Sequence, residues 1–305
     1  MTDVAQTLAR LSAILGSPDG DPVLLDGGIT NENYRVEFGG KSYVIRVPGA
    51  HTELLGIDRD AEWAAACAAA RAGVGPPVRA MLEDPPILVT VYFEGRHVIE
   101  DDLREPGMLA KLASSLRAMH TSGEQLPATF SAFRVVERYA HTARSHGVGP
   151  PDGYDAAHKS AKRIEKALRG ATHEPVPCHN DLVAANLIRN GDDLRIVDWE
   201  YAGMGDRWFD LGNLAVNNGL DEGSEHVLLE AYFGEPPDAG QLAKLHLMRF
   251  MSDFSEGMWG VVQSAVSEID FDFEGYAHDH FARLHETASH PDFDRWFKES
   301  RRAGS

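Results

Sequence analysis

The chain has 305 residues, 43% of them hydrophobic, enough for one or two domains with a substantial core. Its 47 acidic and 29 basic side chains give a formal net charge of −18, a surface that repels nucleic-acid phosphates and anionic lipid and tolerates a small cationic substrate. No apolar run of about 18 residues occurs, "MTDVAQTLARLSAILG" lacks a basic-then-apolar leader pattern, and Cys67 and Cys178 belong to no metal-spaced motif, so a reduced, cytoplasmic protein without membrane insertion is expected.

Val4, Leu8, Leu11 and Leu15 recur at helical spacing and predict a short amphipathic helix over 3–15. Strands are expected at Leu24–Leu25, Tyr34–Phe38 and Tyr43–Val47, with Gly39–Gly40 turning the last two into a hairpin. Residues 58–72, "DRDAEWAAACAAARA", are Ala-rich and helical, and Gly73 ends them. "ILVTVYF" at 87–93 is a further strand. After Gly95, which sits where a hinge could be, helical periodicity takes over in "GMLAKLASSLRAMHTSG" and "AAHKSAKRIEKALRG". Two short apolar runs flank Gly191–Asp192 as a small hairpin would, and from 223 onward the segments read as helices up to the tail "KESRRAGS". The fold class is therefore α+β with two lobes: a small β-rich N-lobe over 1–94 and a larger helical C-lobe over 95–305.

The stretch "VPCHNDLVAANLIRNGDDLRIVDWEYAG" carries the densest chemistry. His179-Asn180-Asp181 and Asn186 give H-x-D-x-x-x-x-N, and Asp198 closes the next strand pair. Phosphoryl transfer needs a carboxylate to take the hydroxyl proton and oxygen ligands for Mg²⁺. A loop, a hairpin and an Asp after it would bring these together, with Asp181 as base and Asn186 and Asp198 as metal ligands. The competing reading is an Asx-type turn at "HND" and an Asp198 that merely caps a loop. Glu256, Trp259 and Gln263 share a helix face in "DFSEGMWGVVQSAV", and Phe273 and Tyr276 follow. Such a stripe fits either a core or an aromatic cage for a quaternary ammonium group.

The catalytic stretch resembles that of protein-kinase-like small-molecule phosphotransferases, which include aminoglycoside, choline and thiamine kinases. "DWEYAGMGDRWFDLGNLA" is most similar to the choline/ethanolamine and thiamine kinases. The resemblance implies a protein-kinase-like fold and transfer of the γ-phosphate of ATP, with Mg²⁺, to the hydroxyl of a cationic amino alcohol. Choline or ethanolamine comes first, with thiamine or an aminoglycoside as alternatives and a non-catalytic metabolite-binding pseudokinase as a remote one. It makes Glu200 either a second acidic metal ligand or a structural residue, and Asp210 in "FDLGN" a buried support of the catalytic loop. Gly27, Gly28, Thr30 and Asn31 resemble the phosphate-cradling turn, Arg46 takes the strand position of the phosphate-holding cation, and Glu62 is its expected helix partner, beside the plain reading of a surface salt bridge. Trp259, Gln263, Tyr276 and Ala277 match the choline pocket of choline kinases, whereas Glu256 and Phe273 stand where those have Trp and Tyr. A carboxylate in place of a cage wall favours a cation that bears N–H donors.

Overall fold

The computed structural model describes residues 4–25, 31–49, 52–168 and 174–301. Helix α1 (Val4–Leu15) leads into β1 (Val23–Leu25), β2 (Asn31–Phe38) and β3 (Lys41–Pro48). Gly39 and Gly40, at φ 58° and 71°, close the β2–β3 hairpin in the left-handed conformation that glycine adopts without a Cβ penalty. Helix α2 (Arg59–Arg71) follows, capped by Asp58, whose side chain accepts the backbone N–H groups of Asp60 and Ala61. Strands β4 (Val78–Leu82) and β5 (Ile87–Val91) complete an antiparallel sheet of order β1-β2-β3-β5-β4.

The pleat sends alternate residues of β3 to opposite faces. Tyr43, Ile45 and Val47 bury against Val36, Val89 and Leu11 of α1, forming the smaller of two apolar cores. Fully buried Leu11 contributes about 1.5–3 kcal/mol to this packing. Val44 and Arg46 take the other face and look into a cleft. The expected strand over 87–93 stops at Val91, so Tyr92 and Phe93 belong to the connection that follows.

Beyond that connection come β6 (Arg96–His97), α3 (Glu100–Leu103), α4 (Pro106–His120), α5 (Ala132–Ser145) and α6 (Tyr154–Leu168). Next are β7 (Val176–Cys178), the hairpin β8 (Leu187–Asn190) and β9 (Asp193–Ile196), and β10 (Gly203–Gly205). Helices α7 (Arg207–Asn217), α8 (Glu222–Phe233), α9 (Ala239–Val266), α10 (Phe273–Ser289) and α11 (Phe293–Glu299) finish the chain. The 28-residue α9 starts in a capping box between Asp238 and Gln241 and forms the spine against which α5, α7 and α10 pack. At Gly212 a Cβ would stand 2.7 Å from the Met248 carbonyl carbon, so glycine is what lets α7 approach α9.

Gly95 has a packing role. A Cβ there would meet the Arg189 carbonyl oxygen at 2.5 Å, so its hydrogen is what allows the connection to lie against β8. The larger apolar core holds Leu112, Leu116, Leu211, Phe250 and Phe254, and also Ala65, Ala68 and Ala69 of α2. The Ala-rich face of α2 thus packs with the helical part of the chain, across the division after residue 94 that the sequence suggests. Among the described residues no helix is long and apolar enough to cross a membrane.

Candidate active site

The loop after β7 is fastened from below by α7. Asp210, fully buried, accepts the backbone N–H groups of His179 at 2.8 Å and Asn180 at 2.7 Å, and pairs with His120 Nε2 at 2.9 Å. Three partners offset the cost of burying that carboxylate. Asn213 Oδ1 accepts the Leu182 N–H at 2.5 Å. His179 spends both ring nitrogens on the loop: Nε2 donates to the Val197 carbonyl at 2.9 Å and Nδ1 accepts the Asp181 N–H at 3.2 Å. Burial holds its pKa below the ordinary value, against the pull of Asp210. A neutral imidazole so committed orients the loop and has no free nitrogen for proton transfer. His120, Cys178 and Asp210 offer ligand atoms within 4.8 Å of one another. Since His120 Nδ1 meets the Tyr232 hydroxyl at 2.7 Å and Nε2 meets Asp210, this grouping is a hydrogen-bonded prop.

The loop presents Asp181 and Asn186 together. Asn186 Nδ2 donates to both the backbone oxygen and Oδ2 of Asp181, each at 2.9 Å, which leaves the amide oxygen as the atom for a hard cation. Asp198, just beyond β9, adopts φ 67°, a left-handed conformation that Asp tolerates better than most residues. From the sheet, Arg46 Nη2 reaches Asp198 Oδ1 at 2.5 Å and Glu200 Oε2 at 3.1 Å, while its Nε stands 3.3 Å from Glu62 Oε1. Burial would lower the Arg46 pKa, but Asp198, Glu62 and Glu200 outweigh it and raise the value. Asp181 is pushed well above the usual carboxylate range by burial first, then by Glu256, Asp198 and Glu200. Asn186 and Asp198 supply the hard oxygen donors that a magnesium ion prefers, and the residues present fit such an ion.

Two cavities, each of about 290 Å³, share Ala185, Asn186 and Asp198 as a common wall. The first is a slot with Leu25, Val44 and Leu88 from the sheet and Ile188 and Val197 from the β8–β9 region. Arg46, Tyr92, Phe93 and Gly95 also line it, which gives an apolar slot with a cation and the inter-lobe connection at its edges. The second is lined by Asp181, Glu200 and Glu256 together with Phe130, Tyr139, Tyr201, Trp259 and Tyr276. None of its lining residues is Lys or Arg, and among the described residues neither Asp181 nor Glu256 forms an ion pair. Glu256 Oε2 accepts the Tyr276 hydroxyl at 2.8 Å, and Trp259 Nε1 donates to the Tyr201 hydroxyl at 2.9 Å. Trp259 and Tyr276 meet edge-on at 5.4 Å. The result is an aromatic wall with uncompensated negative charge, an environment suited to an organic cation.

Asp181, Asn186, Asp198, Glu200 and Arg46 therefore lie around one cleft, with Glu256, Trp259 and Tyr276 around its far end, while Glu62 is buried beside Arg46 and lines neither cavity. Gln263 and Phe273 do not line the cavity and leave the expected acceptor wall. Gln263 is buried farther along α9, and Phe273 packs edge-on against Trp259 at 5.7 Å. Gly27, Gly28 and Thr30 lie outside the described residues. Asn31, the first residue of β2, donates from Nδ2 to Glu200 Oε2 at 2.9 Å. Sequence reasoning did not single out Arg59, Phe130, Tyr139 or Tyr201. Tyr201 stands in "DWEYAG" itself, so its place in that motif could have found it, and Tyr139 sits at helical spacing with Val135 and Val136, so periodicity could have found that one. Nothing local marks Arg59 as paired across the chain.

A model of the phosphotransferase enzyme family matches residues 21–245. The protein LicA of Haemophilus influenzae is 28% identical over 214 residues, a match that spans 68% of this chain and 61% of LicA. The probable ethanolamine kinase A of Dictyostelium discoideum is 26% identical over 303 residues, spanning 86% of this chain and 84% of that protein. Among solved structures, a choline/ethanolamine kinase family protein from Mesorhizobium loti superposes with a TM-score of 0.85 at 30% identity, over 98% of this chain and 99% of the other.

Proposed function

Because the chain belongs to the phosphotransferase enzyme family as a choline/ethanolamine kinase-like member with a two-lobed protein-kinase-like fold, we propose that it transfers the γ-phosphoryl group of ATP to the hydroxyl of a small cationic amino alcohol. One observation carries this reading: Asn186 and Asp198 are the common wall of an apolar slot and of an acidic, aromatic cavity. A nucleotide in the slot and an alcohol in the cavity would meet at that wall and nowhere else. In this reading residues 1–94 contribute most of the nucleotide contacts and residues 95–305 the acceptor contacts.

Asp181 takes the proton as the acceptor hydroxyl attacks phosphorus. The new bond is from the hydroxyl oxygen to phosphorus, and the bond that breaks joins the γ-phosphorus to the bridging oxygen of ADP. Asn186 Nδ2 holds the Asp181 carboxylate by its Oδ2 at 2.9 Å, facing the cavity where the acceptor hydroxyl would lie. Asn186 and Asp198 would hold a magnesium ion, which when bound neutralises charge on the phosphate oxygens. Arg46 compensates phosphate charge from the sheet, through N–H donors arranged as a fork. Glu200 Oε2 accepts from Arg59 and forms an ion pair with Arg46, so its chief work is to orient these cations.

At the far end, Trp259, Tyr201 and Tyr276 offer faces and hydroxyls to the ammonium group, and Glu256 offers a carboxylate. This combination favours ethanolamine and its partly methylated forms, with choline next. ADP release measured over ethanolamine, N-methylethanolamine, choline, thiamine and kanamycin tests the reading. Turnover is expected with the amino alcohols and background rates with kanamycin; background rates on every amino alcohol would overturn it.

A further inference from the structure

Helix α2 opens with a second, partly buried cation beside Arg46. The Arg59 side chain is 13% exposed, and it holds three partners from different parts of the chain. Nη1 donates to Glu62 Oε2 at 2.6 Å and to Glu200 Oε2 at 3.0 Å. Nη2 donates to Asn31 Oδ1 at 3.1 Å. One guanidinium thus fastens the first residue of β2, the first turn of α2 and the acidic residue two positions past Asp198.

Glu62 is shared unequally between the two arginines. Its hydrogen bond at 2.6 Å goes to Arg59, whereas Arg46 Nε lies 3.3 Å from Oε1, and neither of those two atoms has a hydrogen-bond partner among the described residues. The cluster holds two guanidinium charges, on Arg46 and Arg59, against three carboxylates, on Glu62, Asp198 and Glu200. Without Arg59, Arg46 would stand alone against all three. A guanidinium occupied in that way has less capacity left for a polyphosphate, and the surrounding field turns further against an anion.

We propose that Arg59 is a positioning residue for nucleotide binding, which shares Glu62 and Glu200 with Arg46 and so lessens the negative charge that Arg46 alone must balance where it meets the phosphates. This rests on the kinase reading of the cleft. It separates Arg59 from the acceptor end, whose lining does not include it. Lysine at this position would keep the charge but not the flat fork that serves Glu62, Glu200 and Asn31 together, so it should restore part of the function.

The test compares Arg59→Met and Arg59→Lys with the unaltered chain, after thermal melting shows which variants fold. Affinity for a fluorescent N-methylanthraniloyl ADP is measured with magnesium, alongside KM for ATP and for ethanolamine. Arg59→Met is expected to weaken nucleotide binding and raise the ATP KM by about tenfold, the size of one uncompensated charge, while the ethanolamine KM stays within about twofold. Arg59→Lys is expected to fall between, about threefold weaker for nucleotide. A folded Arg59→Met with unchanged nucleotide affinity, or with equal losses for nucleotide and ethanolamine, overturns the inference. If Arg59→Met does not fold, unchanged affinity in Arg59→Lys does so. Failure of the unaltered chain to bind the nucleotide at all would remove the kinase reading, and this inference with it.

Discussion

Replacing Glu256 by Gln removes one negative charge from the acceptor cavity and keeps its shape. The amide oxygen can still accept the Tyr276 hydroxyl, which lies 2.8 Å from Glu256 Oε2. An ammonium about 4 Å from a carboxylate gains about 4 kcal/mol at an effective dielectric constant of about 20. Desolvation of the pair offsets roughly half of this, leaving about 2 kcal/mol, or about thirtyfold in affinity. Ethanolamine should feel this in full, because its ammonium can donate N–H bonds to the carboxylate. Choline has no N–H and holds its charge behind methyl groups, so its loss should be about 1 kcal/mol, or about fivefold. ADP release at saturating ATP would read both acceptors. The ethanolamine KM should rise about thirtyfold and the choline KM about fivefold, a shift of about sixfold in selectivity toward choline. Equal losses for the two acceptors, or no loss for either, in a variant with unchanged melting would refute the assignment of Glu256 to the ammonium end.

Asp181→Asn should lower kcat at least about a hundredfold, the size expected for removing a positioned base, while fluorescent-nucleotide affinity stays near its original value. Gly95→Ala drives a Cβ onto the Arg189 carbonyl, 2.5 Å away, and should cost about 1–3 kcal/mol in urea unfolding; an unchanged midpoint would show that the connection yields freely. Asp102 is held well below the usual carboxylate range, first by the paired bonds from Arg96, which outweigh its burial, and then by the Ile99 N–H and by Arg189. A depressed folded-state pKa adds stability above the unfolded value of about 3.9 and loses it as the pH falls below, so the stability gap between the unaltered chain and Asp102→Asn should be open at neutral pH and narrow steadily in acid. A gap that is constant with pH would mean that Asp102 acts through packing alone.

The parts of the site that could be read in the sequence are those whose chemistry is local. Asp181 and Asn186 sit on one loop, and Asp198 ends the hairpin that follows, so spacing alone brings three oxygen-bearing groups within reach of one another. The β2–β3 hairpin was legible for the same reason: two glycines at a turn and alternating apolar residues on either side make a short-range signal. Helix α5 had a signal too, since Ala132, Val135, Val136, Tyr139, Ala140 and Ala143 all bury one face, yet it lies in a stretch without chemical motifs and so drew no reading.

Arg59, Gln263 and Phe273 are different, because their roles are settled by what packs across from them. Arg59 begins an exposed-looking helix start, "DRDAE", and becomes a partly buried, paired cation only because Glu200, 141 residues later, arrives beside it. Gln263 follows Glu256 and Trp259 on the same helical stripe, but the cavity ends after one turn, and the next turn of α9 is core. Helical spacing fixes which residues share a face; it does not fix how far along that face the pocket extends. The same limit explains why the acceptor end resisted reading more than the phosphate end. A phosphoryl group imposes oxygen donors and cations at fixed spacing around it, whereas an ammonium group accepts any arrangement of aromatic faces and carboxylates that a fold can assemble from distant segments, here from α5, the 198–201 turn, α9 and α10.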